Sequence, residues 1–151
     1  TEEPLKFLAI YLFLRKKTEF NEPMDAIVYG TVISLGFATL ENFEYVYLPF
    51  AEGSLDIAIL RAFTAIPMHA SCGIVMGYFF GKYLFSGTKS YLAMSLLLPI
   101  FFHSLYNFLC TYSTIGMFVL LFLLIRYCYF LHRSFVRAQQ LKVVEEEPKS
   151  I

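Results

Sequence analysis

The sequence predicts an all-α protein, a polytopic transmembrane helical bundle with about five membrane segments. Its 151 residues are 58% hydrophobic and only 16% charged, which is too apolar for a soluble domain of this size. Several apolar runs approach the roughly 20 residues that a helix needs to cross a lipid bilayer. The net charge is +0, and no basic run with interleaved aromatic residues occurs, so nucleic acid is not an expected partner.

The first half of the chain predicts three helices. Residues 5–14 are short for a full span, and a basic cluster at residues 15–17 follows them, so we expect part of a transmembrane helix there. Pro23 suits the first turn of a helix, which predicts a second helix over residues 24–48. The third helix is predicted over residues 56–85.

The second half predicts two further helices and a tail. A turn at residues 86–88 separates the third helix from a fourth over residues 90–112, and a connection at residues 111–114 leads to a fifth over residues 115–137. We therefore expect residues 1–138 to form one transmembrane helical domain. Residues 139–151, with an acidic run, are predicted to form a polar, disordered tail.

The sequence does not begin with methionine, so we expect further helices upstream of Thr1.

Basic residues collect at one end of the predicted helices. If every apolar run crosses the bilayer, one side gathers the lysines and arginines and the other carries only acidic residues. The basic set is Arg15, Lys16, Lys17, Lys82, Lys89, Arg133, Arg137 and Lys142, and the acidic set is Glu52 and Asp56. Because basic loops stay inside, we predict a multi-pass integral membrane protein with a cytoplasmic tail.

Small residues recur at every fourth position in the second and third predicted helices, a pattern that lets helix backbones approach closely in lipid. The two ridges are Ala26, Gly30, Ser34 and Ala38, and Gly73, Gly77 and Gly81. His69 continues the second ridge and Glu41 lies close to the first, so both should face packed interfaces. Such ridges serve packing within one chain or between chains, and the oligomeric state stays open.

Acidic and imidazole side chains are predicted at similar membrane depth in four helices. An ionisable group in lipid is costly unless it faces a bundle interior or a water-filled cavity. Glu41 lies roughly 10 Å, His103 roughly 12 Å and His69 roughly 18 Å from the non-cytoplasmic helix ends. Glu2 and Glu3 lie roughly 18 Å from the cytoplasmic boundary. These groups are therefore expected to converge in the outer half of the membrane.

Carboxylates and imidazoles in a water-poor cavity are suited to activating water. A carboxylate can act as a general base, and a metal can supply an activated water. Zinc accepts two histidines and one glutamate and keeps a position open for water. Lys6, one turn from the paired glutamates, would bias their protonation, and Asn107, one turn after His103, could donate to a developing oxyanion.

Four motifs in the chain resemble those of the PrsW family of intramembrane proteases. They are Glu2-Glu3-x-x-Lys6, residues 36–42 with Tyr45, residues 67–70, and His103-x-x-x-Asn107. More remotely they resemble the CAAX-processing and bacteriocin-immunity (CPBP) proteases. The resemblance implies a metallo- or glutamic-type peptidase in the bacterial plasma membrane. Its expected substrate is a membrane-anchored protein, such as an anti-sigma factor, cut on the extracytoplasmic side.

The resemblance also implies roles for individual residues. Those implied to serve catalysis belong to the first and last motifs: Glu2, Glu3, Lys6 and Asn107. Those implied to hold a divalent metal, with zinc expected, or to hold the water in a metal-free site, are Glu41, His69 and His103.

Two other function classes are consistent with the same residues. A metal or proton transporter also uses intramembrane glutamate and histidine, although no inverted repeat is evident. A noncatalytic membrane-binding or immunity protein would capture a substrate without cutting it. Glu41 could instead pair with Arg61 in a purely structural contact, and we expect Arg61 to snorkel outward.

Overall fold

The computed structural model describes residues 2–14, 22–47 and 54–146, and every regular element in these ranges is an α-helix. The helices are α1 (Glu3–Leu14), α2 (Pro23–Tyr47), α3 (Ser54–Phe63), α4 (Ala65–Ser86), α5 (Lys89–Tyr112) and α6 (Thr114–Glu146). The predicted all-α class is confirmed.

Four stretches of the described chain are long and apolar enough to cross a membrane. They are Met24–Tyr45, Leu55–Ser86, Lys89–Tyr112 and Thr114–Ala138. Helix α1 has 12 residues, fewer than the roughly 20 that a span requires. Large apolar side chains, including Val32, Phe101 and Phe122, are exposed on the outside of the bundle, as expected of a surface that faces lipid. The chain is a multi-pass membrane protein.

The third predicted helix, residues 56–85, is in fact two helices. Helix α3 ends at Phe63 and α4 begins at Ala65, and Thr64 between them has φ −125° and ψ −67°. Pro67 lies in the first turn of α4, where its missing N–H costs no helical hydrogen bond. Because both halves are apolar, hydropathy does not reveal the break.

Two other boundaries differ from the predicted ones. Only Ser113 separates α5 from α6, so the predicted connection at residues 111–114 is too long. Helix α6 continues to Glu146, beyond the helix end predicted at residue 137, because good helix formers continue past that point. The predicted turn at residues 86–88 is present, with Gly87 at φ 69° capping α4.

Helix α4 lies at the centre of the bundle, packed against α2, α3, α5 and α6. It meets α2 through the two small-residue ridges that the sequence predicts. A Cβ atom added at Gly73 would lie 2.6 Å from the Gly30 carbonyl oxygen, so the backbones are in direct contact. Ser34 Oγ donates to the His69 carbonyl oxygen at 2.6 Å. This close, antiparallel approach brings His69 within reach of the polar end of α2.

The other helices pack around α4 in defined directions. Helix α5 is antiparallel to it, since the Phe79 and Tyr91 rings stack near one end and the His69 and His103 ring centroids are 5.0 Å apart toward the other. Helix α1 packs the edge of Phe7 against Phe80. The polar residues at the start of α1 therefore reach the same level as the two histidines.

Candidate active site

The first part of the site joins α1 to α5 through a buried carboxylate. Glu3 and Lys6 lie on the same face of α1, one turn apart, and both are 0% exposed. Lys6 Nζ donates to Glu3 Oε1 at 2.7 Å, and His103 Nδ1 lies 2.7 Å from the same oxygen. Because an ionised carboxylate only accepts hydrogen bonds, we assign the proton of His103 to Nδ1.

The second part joins α1 to α2 through His69. Lys6 Nζ lies 2.9 Å from His69 Nδ1, and an ammonium group can only donate, so Nδ1 accepts. The ring proton then lies on Nε2, which is 2.8 Å from Glu41 Oε2. The lysine and the glutamate on either side thus select one tautomer of His69.

The third part joins α2 to α3 through Arg61. Its Nη2 donates to Glu41 Oε2 at 2.7 Å, and its Nε donates to Asn42 Oδ1 at 2.6 Å. The guanidinium carbon lies 4.3 Å from the centroid of the Tyr45 ring. The expectation that Arg61 snorkels outward is wrong, because the separate helix α3 directs this side chain toward two acceptors on α2.

Two carboxylate oxygens in the described part of the site accept no hydrogen bond. Oε2 of Glu2 and Oε2 of Glu3 are buried and have no hydrogen-bond partner among the described residues. Glu2 Oε2 lies 3.4 Å from Lys6 Nζ and 3.9 Å from His69 Nδ1. A buried acceptor without a partner carries a free-energy cost, so these oxygens are available to accept a hydrogen bond from water or a ligand.

A cavity of about 540 Å³ adjoins the cluster. Glu41, Arg61, His69 and His103 line it, and so does Asn107 on the exposed face of α5. Thr64, Tyr106, Cys110 and Thr111 complete much of the polar wall. The cavity gives small polar molecules room beside the imidazoles.

The structure thus brings all seven predicted site residues to one region. Six of them are linked by successive pairwise contacts, and Asn107 lies on the cavity wall. The six are Glu2, Glu3, Lys6, Glu41, His69 and His103. Their catalytic roles stay predictions. The contact between Arg61 and Glu41 is the pairing that the sequence offered as an alternative. Sequence reasoning missed the contact between Arg61 and Asn42, and the available signal was the position of Asn42 directly after Glu41 in the second motif.

The predicted metal ligands do not fit a metal ion as they are arranged. Both ring nitrogens of His69 face other side chains, and Nδ1 of His103 faces Glu3. In the part of the chain that the structure describes, no group of three or more His, Cys, Asp or Glu side chains could hold a metal ion. The donor types suit zinc, but Lys6 and Arg61 neutralise the carboxylates that a cation would otherwise bind. The metal-binding role of Glu41, His69 and His103 stays a prediction.

Comparison with known proteins identifies relatives of this chain. A family model described as PrsW family intramembrane metalloprotease matches residues 1–132. Protease PrsW of Geobacillus kaustophilus is 44% identical over 110 residues, which are 72% of this chain and 47% of the relative. The Clostridioides difficile protein of the same name is 38% identical over 112 residues, which are 72% of this chain and 47% of the relative. The Bacillus subtilis protein is 38% identical over 113 residues, which are 73% of this chain and 50% of the relative.

The chain spans about half the length of the curated relatives it matches. No solved structure matches it significantly.

Proposed function

The chain belongs to the PrsW family of intramembrane metalloproteases, and on this premise we propose that its buried cluster hydrolyses a peptide bond of a membrane-anchored protein. The observation that carries the proposal is the contact between Glu3 and His103 beside the polar cavity. Nδ1 of His103 lies 2.7 Å from the fully buried Glu3 carboxylate, and His103 is one of the residues that line the cavity. A carboxylate and an imidazole in this relation form a general-base pair.

Proton transfer in this mechanism runs through His103. With its Nδ1–H donated to Glu3, the imidazole keeps a lone pair on Nε2, which can take a proton from a cavity water as that water attacks the scissile carbonyl carbon. The adjacent carboxylate stabilises the imidazolium that forms. Lys6, at 2.7 Å from the same glutamate oxygen, balances the buried negative charge.

The tetrahedral intermediate requires a hydrogen-bond donor for its oxyanion. The Asn107 amide lies on the cavity wall one helical turn after His103, and we assign it this role. When the intermediate collapses, the carbon–nitrogen bond breaks and His103 returns its proton to the leaving amine. The products are a carboxylic acid and an amine, so atoms and protons balance.

The position of the cavity suggests the side of the membrane on which cleavage occurs. Thr111 and Thr114 line the cavity at the α5–α6 connection, whereas Lys82 and Lys89 lie near the opposite, α4–α5 connection. If the basic end is cytoplasmic, the cavity lies toward the extracytoplasmic side. We therefore propose a multi-pass protein of the bacterial plasma membrane with a cytoplasmic tail, acting on a substrate such as an anti-sigma factor.

The family is described as one of metalloproteases, and the donor types of Glu41, His69 and His103 would suit zinc if a metal were bound. The proposed proton transfers use only side chains of this protein, because Lys6 and Arg61 form ion pairs with the carboxylates of Glu3 and Glu41. The proposal is thus a glutamate- and histidine-based activation of water, and metal analysis of the active protein distinguishes the two chemistries.

The test is cleavage of a single-pass model substrate by the purified protein in lipid vesicles. Glu3→Gln and His103→Ala should each slow cleavage by about 10²- to 10⁴-fold, because each removes part of the base. Glu44→Gln and His132→Ala make the same chemical changes at exposed positions and should cleave like the wild type. Full activity in folded Glu3→Gln and His103→Ala protein would refute the proposal. Substrate binding without cleavage by the wild type would instead favour a noncatalytic capture protein.

A further inference from the structure

We infer that Arg61 is a positioning residue, which sets the tautomer and orientation of His69 by holding Glu41. This inference rests on the proposed function only where it concerns cleavage. Arg61 does not contact the Glu3–His103 pair in the described structure, so any effect on catalysis passes through intervening side chains.

The guanidinium of Arg61 is held by three neighbours in α2. It donates to Glu41 Oε2 at 2.7 Å and to Asn42 Oδ1 at 2.6 Å, and its central carbon lies 4.3 Å from the centroid of the Tyr45 ring. A planar group with donors in a rigid fork can satisfy two acceptors and a ring together, whereas a lysine ammonium cannot reproduce the fork or the stacking. The Arg61 side chain is only 13% exposed, which limits the alternatives open to it.

The oxygen that Arg61 holds is also the one that His69 uses. Glu41 Oε2 lies 2.7 Å from Arg61 Nη2 and 2.8 Å from His69 Nε2. A carboxylate fixed at this point requires the proton of His69 to lie on Nε2 and leaves Nδ1 as an acceptor. Without Arg61 the carboxylate is free to rotate, and the ring loses one of the two partners that select its tautomer, which leaves only Lys6 at Nδ1.

The effect then passes from His69 to the catalytic pair through Lys6. The Lys6 ammonium lies 2.9 Å from His69 Nδ1 and 2.7 Å from Glu3 Oε1. If His69 no longer accepts at Nδ1, Lys6 loses one of the contacts that direct it toward Glu3. Arg61 therefore acts on Glu3 at the end of a continuous series of hydrogen bonds that crosses α3, α2, α4 and α1.

The decisive experiment observes the histidine rings directly. The chain contains 3 histidines, so ¹⁵N spectra of histidine-labelled protein in micelles can be assigned by substitution. We expect the wild-type His69 ring to be the tautomer with its proton on Nε2. In Arg61→Gln this signal should change to a mixture of the two tautomers while the exposed His132 is unaffected. Arg133→Gln, at an exposed position, is the matched control and should leave His69 unchanged.

Kinetics supply the second measurement. Arg61→Gln should lower kcat by roughly 10- to 100-fold through misplacement of the site, with KM unchanged, and Arg61→Lys should not restore it. Asn42→Ala removes only one acceptor of Arg61 and should give a smaller change of the same kind.

The outcomes separate this inference from the proposed function. An unchanged His69 spectrum in folded Arg61→Gln protein would overturn the positioning role, whatever the activity. Unfolding of both Arg61→Gln and Asn42→Ala would overturn it too, because Arg61 would then be a structural residue. A wild type that shows the predicted His69 spectrum but cleaves nothing would refute the proposed function and leave the positioning role in place.

Discussion

Replacing Gly73 by alanine should separate the two helices on which the site depends. A Cβ atom at this position would lie 2.6 Å from the Gly30 carbonyl oxygen and 2.8 Å from Thr31 Cα. Both are backbone atoms, so neither can turn aside as a flexible side chain could. Relief of the clash requires α2 and α4 to move apart, which also lengthens the hydrogen bond from Ser34 to the His69 carbonyl.

The expected change in the free energy of unfolding is the sum of two unfavourable contributions and one favourable one. Overpacking costs about 1–3 kcal/mol, and loss of the Ser34 hydrogen bond adds about 0.5–1.5 kcal/mol. The better helix propensity of alanine offsets about 1 kcal/mol. We therefore expect Gly73→Ala to lower the free energy of unfolding by about 0.5–3.5 kcal/mol.

Gly36→Ala is the matched control, because nothing lies within 4 Å of a Cβ atom added at Gly36. Only the propensity term applies, so this variant should be unchanged or more stable by up to about 1 kcal/mol. Unfolding in mixed micelles, followed by circular dichroism as the denaturing detergent increases, measures both variants. Equal stability of Gly73→Ala and Gly36→Ala would refute the backbone contact between α2 and α4.

Two further predictions concern charge and metal. Lys6→Met should destabilise the protein by about 3–5 kcal/mol, because it leaves Glu3 as a buried carboxylate without its ammonium partner. Lys89→Met makes the same change at an exposed position and is the control. In detergent unfolding, Lys6→Met should have the lower midpoint of the two variants. Elemental analysis of active protein should find no stoichiometric divalent metal, and cleavage should survive dialysis against a chelator; one zinc per chain that is lost in His103→Ala would show that a metal activates the water instead.

Much of the fold follows from periodicity and hydropathy. Small residues at every fourth position predicted close backbone packing on α2 and α4, and the structure shows that the two ridges meet each other at Gly30 and Gly73. The break at Thr64 could not be predicted in the same way, because hydropathy is continuous across it and Pro67 suits either a first turn or a kink. The continuation of α6 past residue 138 reflects helix propensity, which is independent of the membrane signal.

The membrane depth of the site residues could be predicted from the sequence, but the pairing of their side chains could not. Helical rise placed Glu3, Glu41, His69 and His103 at similar levels, and the structure brings them together. Depth gives no information on rotation about the helix axis or on rotamers, so it could not tell which glutamate meets which histidine. The inward turn of Arg61 depends on the direction of α3, which only the tertiary structure supplies.

The most direct test of the Glu3–His103 pair is a double-mutant cycle. The rate constant kcat for cleavage of a single-pass substrate is measured for Glu3→Gln, His103→Ala and the combined variant. Residues that act as one unit are strongly non-additive, so the combined variant should be about as slow as the slower single variant. Effects that multiply in the combined variant would show that the two residues act independently and would contradict the mechanism.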